Sequence, residues 1–252
     1  MHKLGCIAAE RGDPSSDKLQ AFAFDIICLG ADTAQLVNRQ EIINTTAGED
    51  QCSLASVIAT EQLGQRGFRV PDCNRETRAI NQLIAQLSES PQDFFQKLVD
   101  AALELSSANS TGISLLDKEE NKFIWPAVAG GLQPYIGGGT PRDFGPCGTV
   151  LDRNAPVLFV HPERHFTYLK PITPPLEEVL LIPFHIDGQA VGTLWAVIHE
   201  PNRKFDTEDK RLLENLSTFA ASAYQVLLNV GYLERILKTR PVSSPNNLPN
   251  AA

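Results

Sequence analysis

The stretch "EEVLLIPFHIDGQAVGTLWAVIH", residues 177–199, constrains the fold more than any other part of the chain. Two apolar runs rich in β-favouring residues meet at Asp187-Gly188. That pair tolerates the left-handed backbone of a two-residue turn, so the stretch reads as a tight antiparallel hairpin. A fold built on this hairpin needs further elements to cover it.

The neighbouring sequence supplies them. "TGISLLD" and "KFIWPAVAGG" flank the polar "KEEN" and read as a second hairpin, with Pro126 marking an edge or a bulge. "PVLFV" is a further strand candidate. Helical spacing appears on both sides of these runs. Ile80, Leu83, Ile84 and Leu87 form one stripe, and Phe94, Leu98, Ala101 and Leu105 form another behind a Ser90-Pro91-Gln92-Asp93 start. At the far end Asp206 caps a long helix with Glu208 and Asp209 in its first turn, followed by Leu212, Leu213, Leu216, Phe219, Ala220, Ala223 and Leu227. Helix, helix, hairpin, loop, short helix, strand, hairpin and helix describe an α+β domain, an antiparallel sheet with helices packed on one face.

Composition removes several functions. The chain has 252 residues, a net charge of −8 and no Lys/Arg run, which argues against nucleic acid as the partner. No apolar stretch is long enough for a signal peptide or a membrane span, so a cytoplasmic protein is expected. Its five cysteines, at 6, 28, 52, 73 and 147, are widely spaced and form no CxxC pair, which fits reduced thiols. Residues 1–75 read as an N-terminal extension of undetermined fold. Within it "LQAFAFDIICLGADTAQLV" suits a strand or a buried helix, and "EDQCSLASVIATEQLGQRG" a short helix stopped at Gly64 or Gly67. The last twelve residues, with three prolines, read as a disordered tail.

The segment from Arg142 to His165 concentrates the chemistry. Pro146-Cys147-Gly148-Thr149 reads as a helix start, where the helix dipole can lower a thiol pKa. Cys147 is thus either a reactive thiol or a small residue on a pocket wall. His161 and His165, with Cys147, invite a metal reading, against which Pro162 pulls His161 out of helical geometry. Gly137, Gly138 and Gly139 either cradle an anion through backbone N–H groups or form a plain loop. Phe144, Phe159, Phe166 and Tyr168, with Trp125 and Trp195, would line a ligand pocket or fill an ordinary core. Arg142, Asp143, His165 and Tyr168 are expected at its mouth.

The words "ELSSANSTGISLLD", "GPCGTVLDRNAPVLFVHPERHF", "VLLIPFHIDGQAVGTLWAV" and "FDTEDKRLLENLSTFAASAY" resemble a GAF domain over residues 76–228. The resemblance is to GAF domains of bacterial and cyanobacterial sensor histidine kinases, here without a kinase region. It implies a non-enzymatic small-molecule sensing or regulatory module in bacterial signalling, with a separate protein such as a histidine kinase as a possible partner. The family also contains a thiol-dependent reductase of free methionine sulfoxide, so a redox enzyme or sensor using Cys147 is one alternative. A ligand-free dimerisation adaptor is another. No cofactor is named by the sequence: bilin-carrying members follow their anchoring cysteine with histidine, whereas Gly148 follows Cys147. A cyclic-nucleotide signature is matched only in part, by Phe205 and Asp209, with Lys210 at the place of its final glutamate.

One expectation concerns assembly. The helical pattern from Thr207 runs on to Thr239, leaving Val226, Leu227, Val230, Leu233 and Leu237 as a stripe beyond the reach of the domain. Paired with the stripe from Ile80 to Leu87, it would make a parallel four-helix homodimer contact. Gly231 is the weak point of that helix, and a stop there would leave a stub too short to associate.

Overall fold

The computed structural model describes residues 52–238, and its organising element is the hairpin of residues 178–198. Strand β5 (Glu178–Ile186) pairs with β6 (Gln189–Ile198), and Asp187 and Gly188 take φ of 50° and 77° at the turn. The second hairpin is β1 (Ser110–Asp117) with β2 (Lys122–Gly130). A short β3 (Gly139–Pro141) and β4 (Val157–Val160) close the edges. All pairings are antiparallel, and the six strands run in the order β3-β2-β1-β6-β5-β4.

Pro126 sits in a bulge. Ile113 faces Ala127 and Leu115 faces Ile124, so one residue of β1 spans two of β2. The extra residue reverses which face the β2 side chains take. Phe123 and Trp125 point to one core, Ala127 and Ala129 to the other.

Those two cores lie on opposite faces of the sheet. On one face α3 (Cys73–Glu89), α4 (Phe94–Leu105) and α6 (Thr207–Asn229) pack against Ile113, Leu115, Leu180, Ile182, Leu194 and Ala196. Thr111 Oγ1 donates to the Val99 carbonyl at 2.7 Å and ties β1 to α4. The other face is covered by the short α5 (Pro146–Arg153), by the loops 131–138 and 161–177, and by α1 (Leu54–Val57).

The local signals act much as expected, with two differences. Asp206 and Asp209 form a reciprocal cap at the start of α6, each carboxylate accepting the other's backbone N–H, at 2.9 and 3.1 Å. Asp72 accepts the Arg75 N–H and starts α3 three residues before Glu76. Ser90, by contrast, makes no side-chain cap. Pro91–Asp93 form a single 3₁₀ turn, and α4 begins at Phe94.

The long C-terminal helix is also different. It ends at Asn229; Gly231 takes φ of 66°, and a separate α7 (Tyr232–Lys238) follows. The turn folds α7 back onto the domain. Leu227 is fully buried and Leu233 is 2% exposed, both in the helix-side core, with Ile236 and Leu237 packed against it. The stripe expected to remain free for a partner is therefore largely consumed by the domain itself. On α3, Leu83 is buried in the same core while Ile84 is exposed. The expected disordered tail and the segment before Cys52 lie outside the described residues.

Within the stretch read as an N-terminal extension, residues 52–69 are fastened to the domain at several points, while Phe68 stays exposed. Two single-turn helices, α1 and α2 (Thr60–Leu63), bury Val57 and Leu63, and Gly64 caps the second. Ile58 bridges to Phe159 on β4, and the Ala59 N–H donates to the Leu158 carbonyl at 2.8 Å. Two arginines then fasten the chain. Arg66 grips fully buried Glu178 through both carboxylate oxygens, at 2.9 and 2.8 Å. Arg69 reaches fully buried Asp209 at 2.5 Å and the Ser107 hydroxyl at 2.5 Å.

Arg69→Ala should therefore cost about 2 kcal/mol in urea unfolding, because it leaves a buried carboxylate short of its cation. The loss is smaller than for a fully enclosed pair, since the Arg69 side chain is partly open to solvent. An unchanged unfolding midpoint would show that the pair does not stabilise the fold.

Candidate functional site

The face opposite the long helices holds a cavity of about 50 Å³. Trp125 and Trp195 form its floor on the sheet, together with Val179, Leu181 and Val197. Cys147 and Pro146 come from the start of α5, Thr140 from β3, and Leu132, Pro162, Leu169, Ile172 and Leu176 from the covering loops. None of these described lining residues is charged.

The floor is shaped by a missing side chain. Gly112 faces Trp195 across the β1–β6 ladder, and a Cβ on it would lie 2.1 Å from the indole. Bare Cα there lets the Trp195 ring lie across β1 and send its Nε1–H to Ser114 Oγ at 3.0 Å. The two indoles then meet at 5.5 Å between ring centroids.

A polar knot holds Cys147. Its Sγ lies 3.3 Å from Ser114 Oγ, and Thr193 Oγ1 donates to it at 3.5 Å. Ser114 and Thr193 face each other on β1 and β6 and are fully buried. Burial pushes the Cys147 thiol above its ordinary range, against the weaker pull of these hydroxyls. Desolvation thus outweighs the start of an eight-residue helix, and the thiolate needed for attack is disfavoured.

Three buried polar atoms in this region have no hydrogen-bond partner: Trp125 Nε1, Thr140 Oγ1 and Tyr168 OH. Such an atom costs about 1–3 kcal/mol when left unmet. Tyr168 stands close behind the wall, where a Cβ on Gly145 would come within 3.0 Å of its hydroxyl and 3.4 Å of Thr140 Cβ. Burial raises the Tyr168 pKa, so the hydroxyl stays protonated.

The other expected site residues lie elsewhere. Phe144, His165, Phe166 and Tyr168 form an aromatic group with ring separations of 4.7–6.2 Å, and Phe159 joins through Phe166. None of Phe144, Phe159 and His165 lines the cavity; His165 Nδ1 instead meets the Cys52 carbonyl at 2.7 Å and pins the N-terminal segment. Arg142 turns outward to Asp152 at 2.6 Å, and this hydrogen bond raises its pKa. Asp143 is exposed and accepts from Asn121 Nδ2 at 2.6 Å. Of the residues read as candidate ligand contacts, Trp125, Cys147 and Trp195 line the cavity and Tyr168 lies near it, while Arg142 pairs with Asp152 and Asp143 with Asn121.

The glycine run makes no anion cradle. The Gly137 N–H donates to the Trp125 carbonyl and the Gly138 N–H to the Tyr135 carbonyl, so both donors are spent. Gly139 is required by close packing, since a Cβ would stand 1.8 Å from the Phe123 carbonyl oxygen. His161 lies between Glu163 and Glu177 at 3.5 and 3.6 Å, with φ of 49° before Pro162. Among the described residues no group of three or more His, Cys, Asp or Glu side chains converges on a metal-sized point.

A second network holds the covering loops in place. Ser110 Oγ lies 2.7 Å from His199 Nε2, and His199 Nδ1 lies 2.7 Å from the Pro175 carbonyl. A carbonyl can only accept, so Nδ1 carries the proton and Nε2 accepts from Ser110. The Leu132 N–H donates in turn to Ser110 Oγ at 3.0 Å. This chain joins the loop of Leu132 to the loop of Leu176, and both residues line the cavity. Burial lowers the His199 pKa, with nearby Glu200 pulling the other way.

A family model described as a GAF domain matches residues 88–225. The chain belongs to the GAF domain family. Solved structures agree in fold. The GAF domain of an Acinetobacter phosphoenolpyruvate-protein phosphotransferase is 19% identical, with TM-score 0.55, covering 63% of this chain and 97% of that one. Its Coxiella burnetii counterpart is 17% identical, with TM-score 0.53 and coverage of 64% and 98%. The free methionine-R-sulfoxide reductase of Neisseria meningitidis, solved with its substrate, is 16% identical, with TM-score 0.52 and coverage of 65% and 97%. No curated protein matches the sequence.

Sequence reasoning missed Ser114, Thr140 and Thr193, small polar residues inside apolar strands that carry no pattern of their own. Two outcomes follow from the geometry. Iodoacetamide labelling mapped by mass spectrometry should reach exposed Cys73 at least 100-fold faster than Cys147, whose thiol is protonated and covered; comparable rates would contradict the closed wall. The pH effect has a definite sign. A histidine held below its unfolded pKa of about 6.5 binds its proton more readily in the unfolded chain, so stability is full above that pH and falls as pH drops through it. The melting temperature should therefore drop less between pH 7.5 and 5.5 in His199→Gln than in the wild type, and an equal drop would clear His199 of the effect.

Proposed function

We propose that this GAF domain is a non-catalytic binding module, taking a small molecule into the cavity beneath the 161–177 loop as part of a sensing or regulatory protein. The observation that carries the reading is a concave, apolar wall, formed by the two indoles on the sheet and the covering loops, with no charged residue among the described residues that line it. A concave apolar site with a few polar groups is the common form of a small-molecule pocket. Binding would act on the loops joined through Ser110 and His199, since Leu132 and Leu176 touch both the cavity and that network.

The enzyme reading fits less well. Reduction of free methionine sulfoxide, the activity named for the Neisseria protein, needs a reactive thiol and partners for an ammonium and a carboxylate. Here Cys147 is buried with its pKa raised, and the cavity wall carries no charge. The adaptor reading loses its main support because Leu227 and Leu233 are buried within the domain.

Thermal shift against a small-molecule extract tests the proposal. A ligand at 100 times its Kd adds about 2.7 kcal/mol, or roughly 5–10 °C for a domain of this size. Free methionine sulfoxide with a dithiol reductant should show no turnover above background. Turnover that disappears in Cys147→Ser would replace the binding module with an enzyme.

A further inference from the structure

We infer that the cavity takes a neutral, wholly apolar molecule of a few heavy atoms, held by contact alone and without a hydrogen bond. The inference rests on the reading of the cavity as a small-molecule site and narrows what the site takes.

The wall carries the argument. All of the surface that it turns to the cavity is apolar. Polar groups stand behind that surface, and each is either bonded within the protein or covered by its neighbours. Trp195 Nε1 donates to Ser114 Oγ at 3.0 Å, and Ser114 and Thr193 both meet Cys147 Sγ. Trp125 Nε1 and Thr140 Oγ1 are without a partner, but neighbouring atoms cover both, so neither is offered to an occupant. A water would need about two to four polar partners and finds none on this wall. The same holds for a hydroxyl, an amide or a carboxylate of a ligand, which would give up its hydration for nothing in return. A charge fares worse, because no described lining residue is charged and nearby Arg142 is turned outward to Asp152. What remains is a molecule that asks for no polar partner and gains from leaving water.

Size sets the second limit. The cavity holds about 50 Å³, against about 150 Å³ for an apolar cavity that binds benzene. A hydrocarbon about half the size of benzene fits that space. Benzene itself requires the covering loops to give way at Ile172 and Leu176, both of which are nearly buried. A nucleotide or a tetrapyrrole fails on size and polarity together.

The chain provides its own reporter. It has two tryptophans, and both line the cavity, so intrinsic tryptophan emission reads this site. The full chain is titrated with cyclopropane under stepped gas pressure, and separately with ethanol, acetate and benzene. A saturable change in emission and a rise in melting temperature are read together. Cyclopropane should give both. Ethanol and acetate should give neither at the same free concentrations. Benzene should bind about tenfold more weakly than cyclopropane, because it overfills the space. Two variants move the size limit in opposite directions. Ile172→Phe fills the cavity and should abolish the cyclopropane response. Leu176→Ala widens it and should make benzene the tighter ligand, and either variant serves if the other fails to fold. Ethanol or acetate binding as tightly as cyclopropane, or benzene binding the wild type as tightly, overturns the ligand class and leaves a small-molecule module standing. Unchanged cyclopropane binding in Ile172→Phe overturns the assignment to this cavity. A protein silent to cyclopropane but stabilised by a component of a small-molecule extract refutes the class alone. Silence to both refutes the class and the binding module together.

Discussion

Because both faces of the sheet are covered, each strand residue must be apolar or must find its polar partner inside the protein. On the helix face the first solution dominates: Ile113, Leu115, Leu180, Ile182 and Leu194 meet the helices. On the loop face the second appears, in Ser114, Thr193 and the Cys147 thiol they surround. Bare Gly112 allows Trp195 to lie flat and join that group. Site and fold thus answer the same requirement, and the cavity is the place where the requirement is not fully met.

The bulge at Pro126 has a part in this. Without the extra residue, Phe123 and Trp125 would share a face with Ala127 and Ala129, among the helices. With it, the first half of β2 supplies two large aromatics to the loop face and the second half supplies two alanines where α4 packs closely. One irregularity brings Trp125 beside Trp195 on the wall of the cavity.

Much of the fold is legible in the sequence because its signals are local. Asp187-Gly188 sets a turn, Asp206 caps a helix and Pro126 interrupts a ladder whatever surrounds them. Trp125 and Trp195, which line the cavity, can be picked out as large groups on strands, whereas Phe144, Phe159 and His165 look the same in sequence and lie away from it. What is hidden depends on distant partners. Arg142 looks like a residue of the pocket mouth until Asp152, one helix away, takes it outward. Residues 52–70 show little periodicity because each helix there is a single turn, and their attachment runs through Glu178 and Asp209, over a hundred positions downstream. The stripe beyond Leu227 looked free because helical spacing alone cannot show that Gly231 reverses the chain.

That reversal bears on how force could leave the domain. An unbroken helix is a stiff rod, and a twist at one end reappears at the other. Here the left-handed residue at Gly231 divides the rod into two helices. What α7 can pass on is position. It rests on the core through Leu233, and any displacement of that anchor swings the helix as a short lever about the glycine. A mechanical output from this end of the domain would be a change of angle between docked and released states.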